Sequence, residues 1–169
     1  MLWGRLSAFG LAIAVFVALI DQASKFWLLY GFDLRSRGVV TLTPFFDLVL
    51  QWNTGISYGL FPQDGTFGKW ALLVLTAVAV VLLWIWLSRA GSHLTALALG
   101  LIIGGALGNA VDRVHWPGVM DFALFHIRVG GNRYDWYVFN LADAAIVAGV
   151  IGLLCETFVG DRAAKAPRS

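Results

Sequence analysis

Charge is scarce in this chain. Lysine, arginine, aspartate and glutamate make up 13% of its 169 residues against 59% hydrophobic, and the mean hydropathy is +0.77, which excludes an ordinary soluble domain. Cysteine is scarcer still. Cys155 stands alone, so an intrachain disulfide and a multi-cysteine metal site are both excluded, and beside Leu153, Leu154 and Phe158 it reads as a lipid-facing or packing residue. The three histidines, His93, His115 and His126, are dispersed and lack HExxH spacing, so no metal site is expected. No Gly-x-Ser-x-Gly elbow or phosphate loop occurs, and none of that chemistry is expected. Ser24 and Lys25 are adjacent on a predicted helix and point in different directions, which argues against a Ser/Lys hydrolase. The net charge of +2 comes from basic residues scattered among aromatics rather than gathered in a stripe, so nucleic acid is not an expected partner.

What the chain does have is long apolar runs. Four are long enough to cross about 30 Å of hydrocarbon: residues 6–28, 70–88, 94–112 and 136–158. The composition therefore predicts an all-α membrane protein, a four-transmembrane-helix bundle forming one integral membrane domain over residues 1–169, with outer segments at 29–69 and 113–135. The first run resembles a secretory signal at its start, but no clear small-x-small site follows it. It continues through Asp21-Gln22-Ala23-Ser24-Lys25 to Trp27 and Tyr30, suited to interfacial anchoring, so an uncleaved span is expected. Four spans put both termini on one side. Arg5, Arg89, Arg162, Lys165 and Arg168 are concentrated there in short flanks, whereas seven basic residues opposite are spread through long segments with many acids. Positive charge density thus predicts cytoplasmic termini.

Polar residues inside these runs converge at one depth. At 1.5 Å per residue, Asp21 and Asn109 each lie roughly 22 Å from the inner boundary, and Asp143, on a helix entering from the other side, roughly 20 Å from it. Within each helix, Asp21 and Lys25, Asn109 with Asp112 and Arg113, and Asn140 with Asp143 have the three- or four-residue spacing that shares a face. Asp21 with Lys25, and Asp112 with Arg113, read equally well as structural ion pairs closing a helix end. Gly100, Gly104 and Gly108 form overlapping small-xxx-small motifs, answered on the fourth helix by Ala145, Ala148, Gly149 and Gly152, and predict close helix packing. Outside the spans, Phe46, Leu48, Leu50 and Trp52 alternate with Asp47, Val49 and Gln51 as in a strand with one apolar face. Asn53-Thr54-Gly55 breaks the pattern before an apolar stretch at 56–61. Residues 125–129, a Gly130-Gly131-Asn132 turn and residues 134–138 predict a hairpin. A small β-rich element on the outer surface follows.

An ionisable residue in a membrane helix is costly and is by default a functional hypothesis. Asp143 in Phe139-Asn140-Leu141-Ala142-Asp143 is such a residue, and Asp121, beyond the third span, is its candidate partner. Two carboxyls at close range cannot both ionise readily. One then takes a proton from water while the other, protonated, donates to a carbonyl oxygen, which is peptide hydrolysis without metal or cofactor. Asn53, Asn109, Arg113 and Asn140 are placed to hold a substrate backbone or the carboxylates. Two other readings stay open. One is a small proton-coupled transporter or channel subunit using Asp21, Asp121 and Asp143. The other is a structural subunit. Against transport, spans two and four offer no polar residue leading inward from Asp143.

Five islands, Asp21-Gln22-Ala23-Ser24-Lys25, Asn53-Thr54-Gly55, Gly104-Gly105-Ala106-Leu107-Gly108-Asn109 running on to Asp112-Arg113, Val119-Met120-Asp121-Phe122, and Phe139-Asn140-Leu141-Ala142-Asp143, resemble the lipoprotein signal peptidase (signal peptidase II) family in order and spacing. The resemblance implies an aspartyl endopeptidase of the bacterial inner membrane that removes signal peptides from diacylglyceryl-modified prolipoproteins, cleaving before the lipidated cysteine. It implies Asp121 and Asp143 as the catalytic pair, Asp21, Asn53, Asn109, Arg113 and Asn140 as pocket residues, no cofactor, contact with membrane lipids and a monomer. Ile56-Ser57-Tyr58 departs from the small-small-Phe expected there. Trp52, Phe61 and Trp116 are candidate contacts for lipid or acyl chain, or interfacial anchors.

Overall fold

The computed structural model describes residues 2–55 and 66–165, with side chains described to residue 157. The apolar stretch at 56–61, Phe61 and the Ile56-Ser57-Tyr58 departure thus lie largely or wholly outside the described residues. Among these residues, five α-helices and a four-stranded antiparallel sheet follow in the order α1 (Ser7–Phe26), α2 (Leu34–Arg37), β1 (Val40–Thr43), β2 (Phe46–Asn53), α3 (Thr66–Leu87), α4 (His93–His115), β3 (Val119–Val129), β4 (Asn132–Asp135) and α5 (Leu141–Lys165). A π-helical turn, Trp27–Gly31, extends α1, and Asp33 then takes a left-handed conformation (φ 53°) that turns the chain into α2.

Among the described residues, three helices, Ser7–Gly31, Phe67–Leu87 and His93–His115, are long and apolar enough to cross a membrane. Their outward faces carry large apolar side chains such as Phe16, Leu19, Val74, Leu75, Val78 and Leu82. Such surfaces suit hydrocarbon, because a helix satisfies its backbone groups internally. α4 is central, flanked by α1 and α5, with α3 against it. Ser92 starts α4 by accepting the Thr95 N–H at 3.0 Å, an N-cap that satisfies one of the helix's free donors.

The glycines of α4 serve two neighbours. Gly100 and Gly104 face the α1 backbone, where a Cβ would meet the Gly10 and Ala14 carbonyls. α5 packs elsewhere, Gly105 meeting the Ala142 carbonyl and Gly149 the Ala98 carbonyl. The Gly100, Gly104 and Gly108 row therefore receives mainly α1 rather than the small residues of the last helix, because side chains one position apart, such as Gly104 and Gly105, address different neighbours.

The sheet has the order β1-β2-β3-β4. β3 runs antiparallel to β2, with Asp121 opposite Gln51 and Phe125 opposite Phe46, and an irregularity falls between Leu48 and Gln51. β3 and β4 form a hairpin through Gly130 and Gly131, both at positive φ (59° and 85°), which suits glycine. The last helix starts at Leu141 rather than near Trp136. The Trp136 N–H donates to the Phe125 carbonyl and Phe139 exchanges bonds with Ala123, so the sheet keeps this stretch extended. Two apolar cores result. One, around Leu6, Ala14, Leu87, Leu99 and Ile103, lies among the helices. The other, around Leu28, Leu34, Leu48, Met120 and Phe122, joins the sheet to the C-terminal end of α1. Polar residues occupy the level between them.

Candidate active site

α5 opens with a capping box. Asn140 Oδ1 accepts the Asp143 N–H at 2.9 Å, and Asp143 Oδ2 accepts the Asn140 N–H at 3.2 Å, so each residue satisfies a donor that the first helical turn leaves free. The three-residue spacing seen in the sequence is the spacing this device requires. Its consequence is a fixed carboxyl, with Asp143 half-buried at the positive end of the helix dipole. The other half of the Asn140 amide reaches outward, Nδ2 donating to Asp121 Oδ1 at 2.7 Å and to Asn109 Oδ1 at 3.1 Å. Asn140 is fully buried, so this one side chain joins Asp121 on β3 to Asp143 on α5.

Asn109, from α4, closes the arrangement by donating through Nδ2 to Asp143 Oδ1 at 2.8 Å. Asn53, at the end of β2, donates through Nδ2 to Asp121 Oδ2 at 3.2 Å and accepts the Gly55 N–H at 3.2 Å. Asp121 is 2% exposed. Burial and, second, the nearby Asp143 charge push its carboxyl up to about 7, against the bonds from Asn53 and Asn140. Asp121 thus keeps a proton into the neutral range.

The remaining candidates take supporting places. Asp21, at 0% exposure, accepts the Ala142 N–H through Oδ1 at 3.0 Å, on the first turn of α5. Arg113 donates to the Asn109 carbonyl at 3.3 Å and to the Gly55 carbonyl at 3.1 Å, tying the chain after β2 to α4; among the described residues it makes no ion pair with Asp121 or Asp143. Lys25 and Asp112 form a buried ion pair of 2.7 Å beneath the site. Trp52 and Trp116 pack with ring centroids 5.5 Å apart, and Tyr30 lies beside Trp116. Among the described residues no group of three or more His, Cys, Asp or Glu side chains is placed to hold a metal ion.

Some members of the site are not named by the sequence. Gln22 Nε2 donates to Asp112 Oδ1 at 2.6 Å and to the Gly108 carbonyl at 3.0 Å. Gly108 itself makes room, for a Cβ there would stand 2.7 Å from Asp21 Oδ2. Gln22 belongs to the Asp21–Lys25 island and Gly108 to the small-xxx-small motif, but neither motif carries the long-range contacts these residues make.

A sequence model of the family described as Signal peptidase (SPase) II matches residues 13–159. The chain is 54% identical over 158 residues to a lipoprotein signal peptidase of Rhodopseudomonas palustris (strain TIE-1), covering 94% of this chain and 96% of that one. It is 58% identical over 158 residues to the lipoprotein signal peptidase of Nitrobacter hamburgensis, with the same coverage. A solved structure described as a bacterial membrane enzyme at 2.3 Å shares the fold, with TM-score 0.76 and 24% identity over 96% of this chain and 94% of that chain. A second such structure, at 1.9 Å, has TM-score 0.71 and 25% identity over 93% and 97%.

Proposed function

Because the chain belongs to the signal peptidase II family, it is an aspartic-type peptidase that removes signal peptides from prolipoproteins, and we propose that Asp121 and Asp143 carry out the hydrolysis as a dyad. The observation that carries this reading is Asn140, whose side chain bonds Asp121 through Nδ2 and the Asp143 backbone through Oδ1. Asp121 enters the cycle as the acid and Asp143 as the carboxylate.

Asp143 takes a proton from water as the water oxygen bonds to the scissile carbonyl carbon, and the Asp121 proton passes to the carbonyl oxygen. The resulting tetrahedral diol collapses. Its C–N bond breaks, the proton held by Asp143 moves to the departing amine nitrogen, and a diol hydroxyl returns a proton to Asp121. Both residues regain their starting states. Asn53, Asn109 and Asn140 hold the carboxyls in place, Asp21 holds the start of α5, and Arg113 with Gly55 forms part of the rim that meets the substrate backbone.

In this reading the substrate is a diacylglyceryl-modified prolipoprotein cut before its lipidated cysteine. α5 is the fourth span, the termini are cytoplasmic, and the site lies at the periplasmic boundary of a bacterial inner membrane, where a monomer meets substrate by lateral diffusion. Trp52 and Trp116 face the lipid-bearing part of the substrate. Purified wild type, Asp121→Asn and Asp143→Asn are compared on a diacylglyceryl-modified prolipoprotein. Each substitution is expected to lower kcat by roughly 10³-fold or more, as loss of an acid or base that acts as part of a unit does. Wild-type cleavage by either variant would sink the dyad.

A further inference from the structure

Each dyad aspartate is preceded by a residue whose backbone N–H is held by a buried carboxylate. Ala142 N–H, before Asp143, donates to Asp21 at 3.0 Å. Met120 N–H, before Asp121, donates to Asp112 Oδ2 at 3.0 Å. Both carboxylates meet the same cation. Lys25 Nζ lies 2.7 Å from Asp21 Oδ2 and 2.7 Å from Asp112 Oδ2, and it donates to Asn109 Oδ1 at 3.3 Å. Lys25 is 4% exposed, and Asp21 and Asp112 are 0% and 1% exposed. With the Asn109 amide bonded to Asp143, the ammonium stands one group away from both elements that carry the dyad: α5 through Asp21 and Asn109, β3 through Asp112.

We propose that Lys25 is a positioning residue that sets the relative placement of Asp121 and Asp143 by clamping Asp21 and Asp112 together. The proposal rests on the dyad reading above. A lone lysine opposite one carboxylate closes a helix end; a lysine shared by two carboxylates, each gripping the backbone beside a catalytic group, couples α5 to β3. Without it, two buried like charges face each other unneutralised and move apart, carrying Ala142 and Met120 with them. The Lys25 charge also opposes the rise of the Asp121 carboxyl.

The test is steady-state cleavage of a diacylglyceryl-modified prolipoprotein across pH by Lys25→Met and Lys25→Arg, with wild type and Asp121→Asn as references and thermal unfolding in detergent to quantify folded enzyme. Lys25→Met is expected to lose about 100-fold in kcat per folded molecule, the scale of an ångström-sized misplacement, with KM changed less than about threefold. Its pH optimum is expected to move to higher pH by on the order of half a unit, since a neighbouring positive charge is gone. Lys25→Arg, retaining the charge, is expected to keep the wild-type optimum and recover part of kcat. If Lys25→Met does not fold, Lys25→Met/Asp112→Asn, which removes the facing charge, gives the same readout. A kcat within about threefold of wild type at an unmoved optimum in Lys25→Met, or in Lys25→Met/Asp112→Asn where that is the variant that folds, overturns the proposal; so does a loss confined to the amount of folded enzyme. Should Asp121→Asn remain active, the dyad reading fails first. An inactive Asp121→Asn beside an unimpaired Lys25→Met removes the clamp alone.

Discussion

Two aspartates on neighbouring strands of one sheet are equally buried and have opposite fates. Asp121, on β3, is surrounded by asparagine amides and a second carboxylate, and its carboxyl rises to about 7, by burial first and the Asp143 charge second. Asp47, on β2, is 0% exposed. Burial pushes it upward as well, but contacts with Thr41, Arg133 and His126 outweigh that and hold it below its ordinary value. Arg133 Nη2 stands 2.8 Å from Asp47 Oδ2 and His126 Nε2 3.3 Å from it, joining β2 to β3 and β4. Burial alone therefore does not decide what a carboxylate becomes in this protein. The partners do: the Thr41 hydroxyl first, then Arg133 and His126, make Asp47 a structural pin, whereas amides and a like charge leave Asp121 a proton near neutrality.

The largest way to break this contrast is at Asn140. Asn140→Ala removes the cap of α5 and the bond to Asp121 together, and kcat is expected to fall on the order of 100-fold, with a stability loss of about 1 kcal/mol from the lost cap. Cleavage assays on folded protein check this. Wild-type kcat would show that the bridge between the carboxyls is incidental. No substitution confined to Asp47 is expected to affect kcat comparably.

Stability should separate the two aspartates by sign. A carboxyl raised from 3.8 to about 7 binds its proton more tightly folded than unfolded, so its contribution falls as pH rises through that window, and the cost is complete above about 7. Asp121→Asn, neutral throughout, should therefore be more stable than wild type at pH 8 by on the order of 1–3 kcal/mol while inactive. Asp47 has the opposite sign. Its lowered value gives stability that is full above 3.8 and is lost as pH falls through the folded-state value. Asp47→Asn should cost about 1–3 kcal/mol at pH 8, leaving buried partners uncompensated, and converge on wild type in strong acid. Thermal unfolding in detergent across pH reads both. Shifts of the same sign at pH 8 would end the comparison.

How far the sequence revealed these two places differs for a physical reason. The polar level between the helices was legible because helix rise and three-residue spacing are fixed, so Asp21, Asn109 and Asp143 could be set at one depth and Asn140 beside Asp143 without knowing the fold. The clamp was not legible, since Lys25 meets Asn109 from 84 positions away and helical periodicity carries no information across that distance. Asp47 was misleading. Alternation assigned it to the polar side of β2, yet Arg133 and His126 come from strands whose register no local pattern fixes, and they enclose it completely. Asp121 falls between these cases: the sequence names Asp143 as its candidate partner, but it predicts a strand only beyond Asp121, whereas β3 already starts at Val119.

The smallest expected effect tests whether the sheet pin depends on charge or on shape. Arg133 is partly exposed, its side chain at 34%, and it pairs with Asp135 as well as Asp47, so solvent screens part of what it contributes. Arg133→Gln should cost no more than about 1 kcal/mol at neutral pH. Its sharper signature is the acid limb. With the guanidinium gone, Asp47 loses one of the contacts that hold its carboxyl down, so the variant should lose stability at a higher pH than wild type as acid is added, with kcat unchanged because neither dyad carboxyl touches Arg133. Unfolding curves taken downward through pH 3.8 into stronger acid measure the displacement. An acid limb that coincides with wild type would mean that His126 and Thr41 hold Asp47 without the arginine, and that packing rather than an ion pair distinguishes it from Asp121.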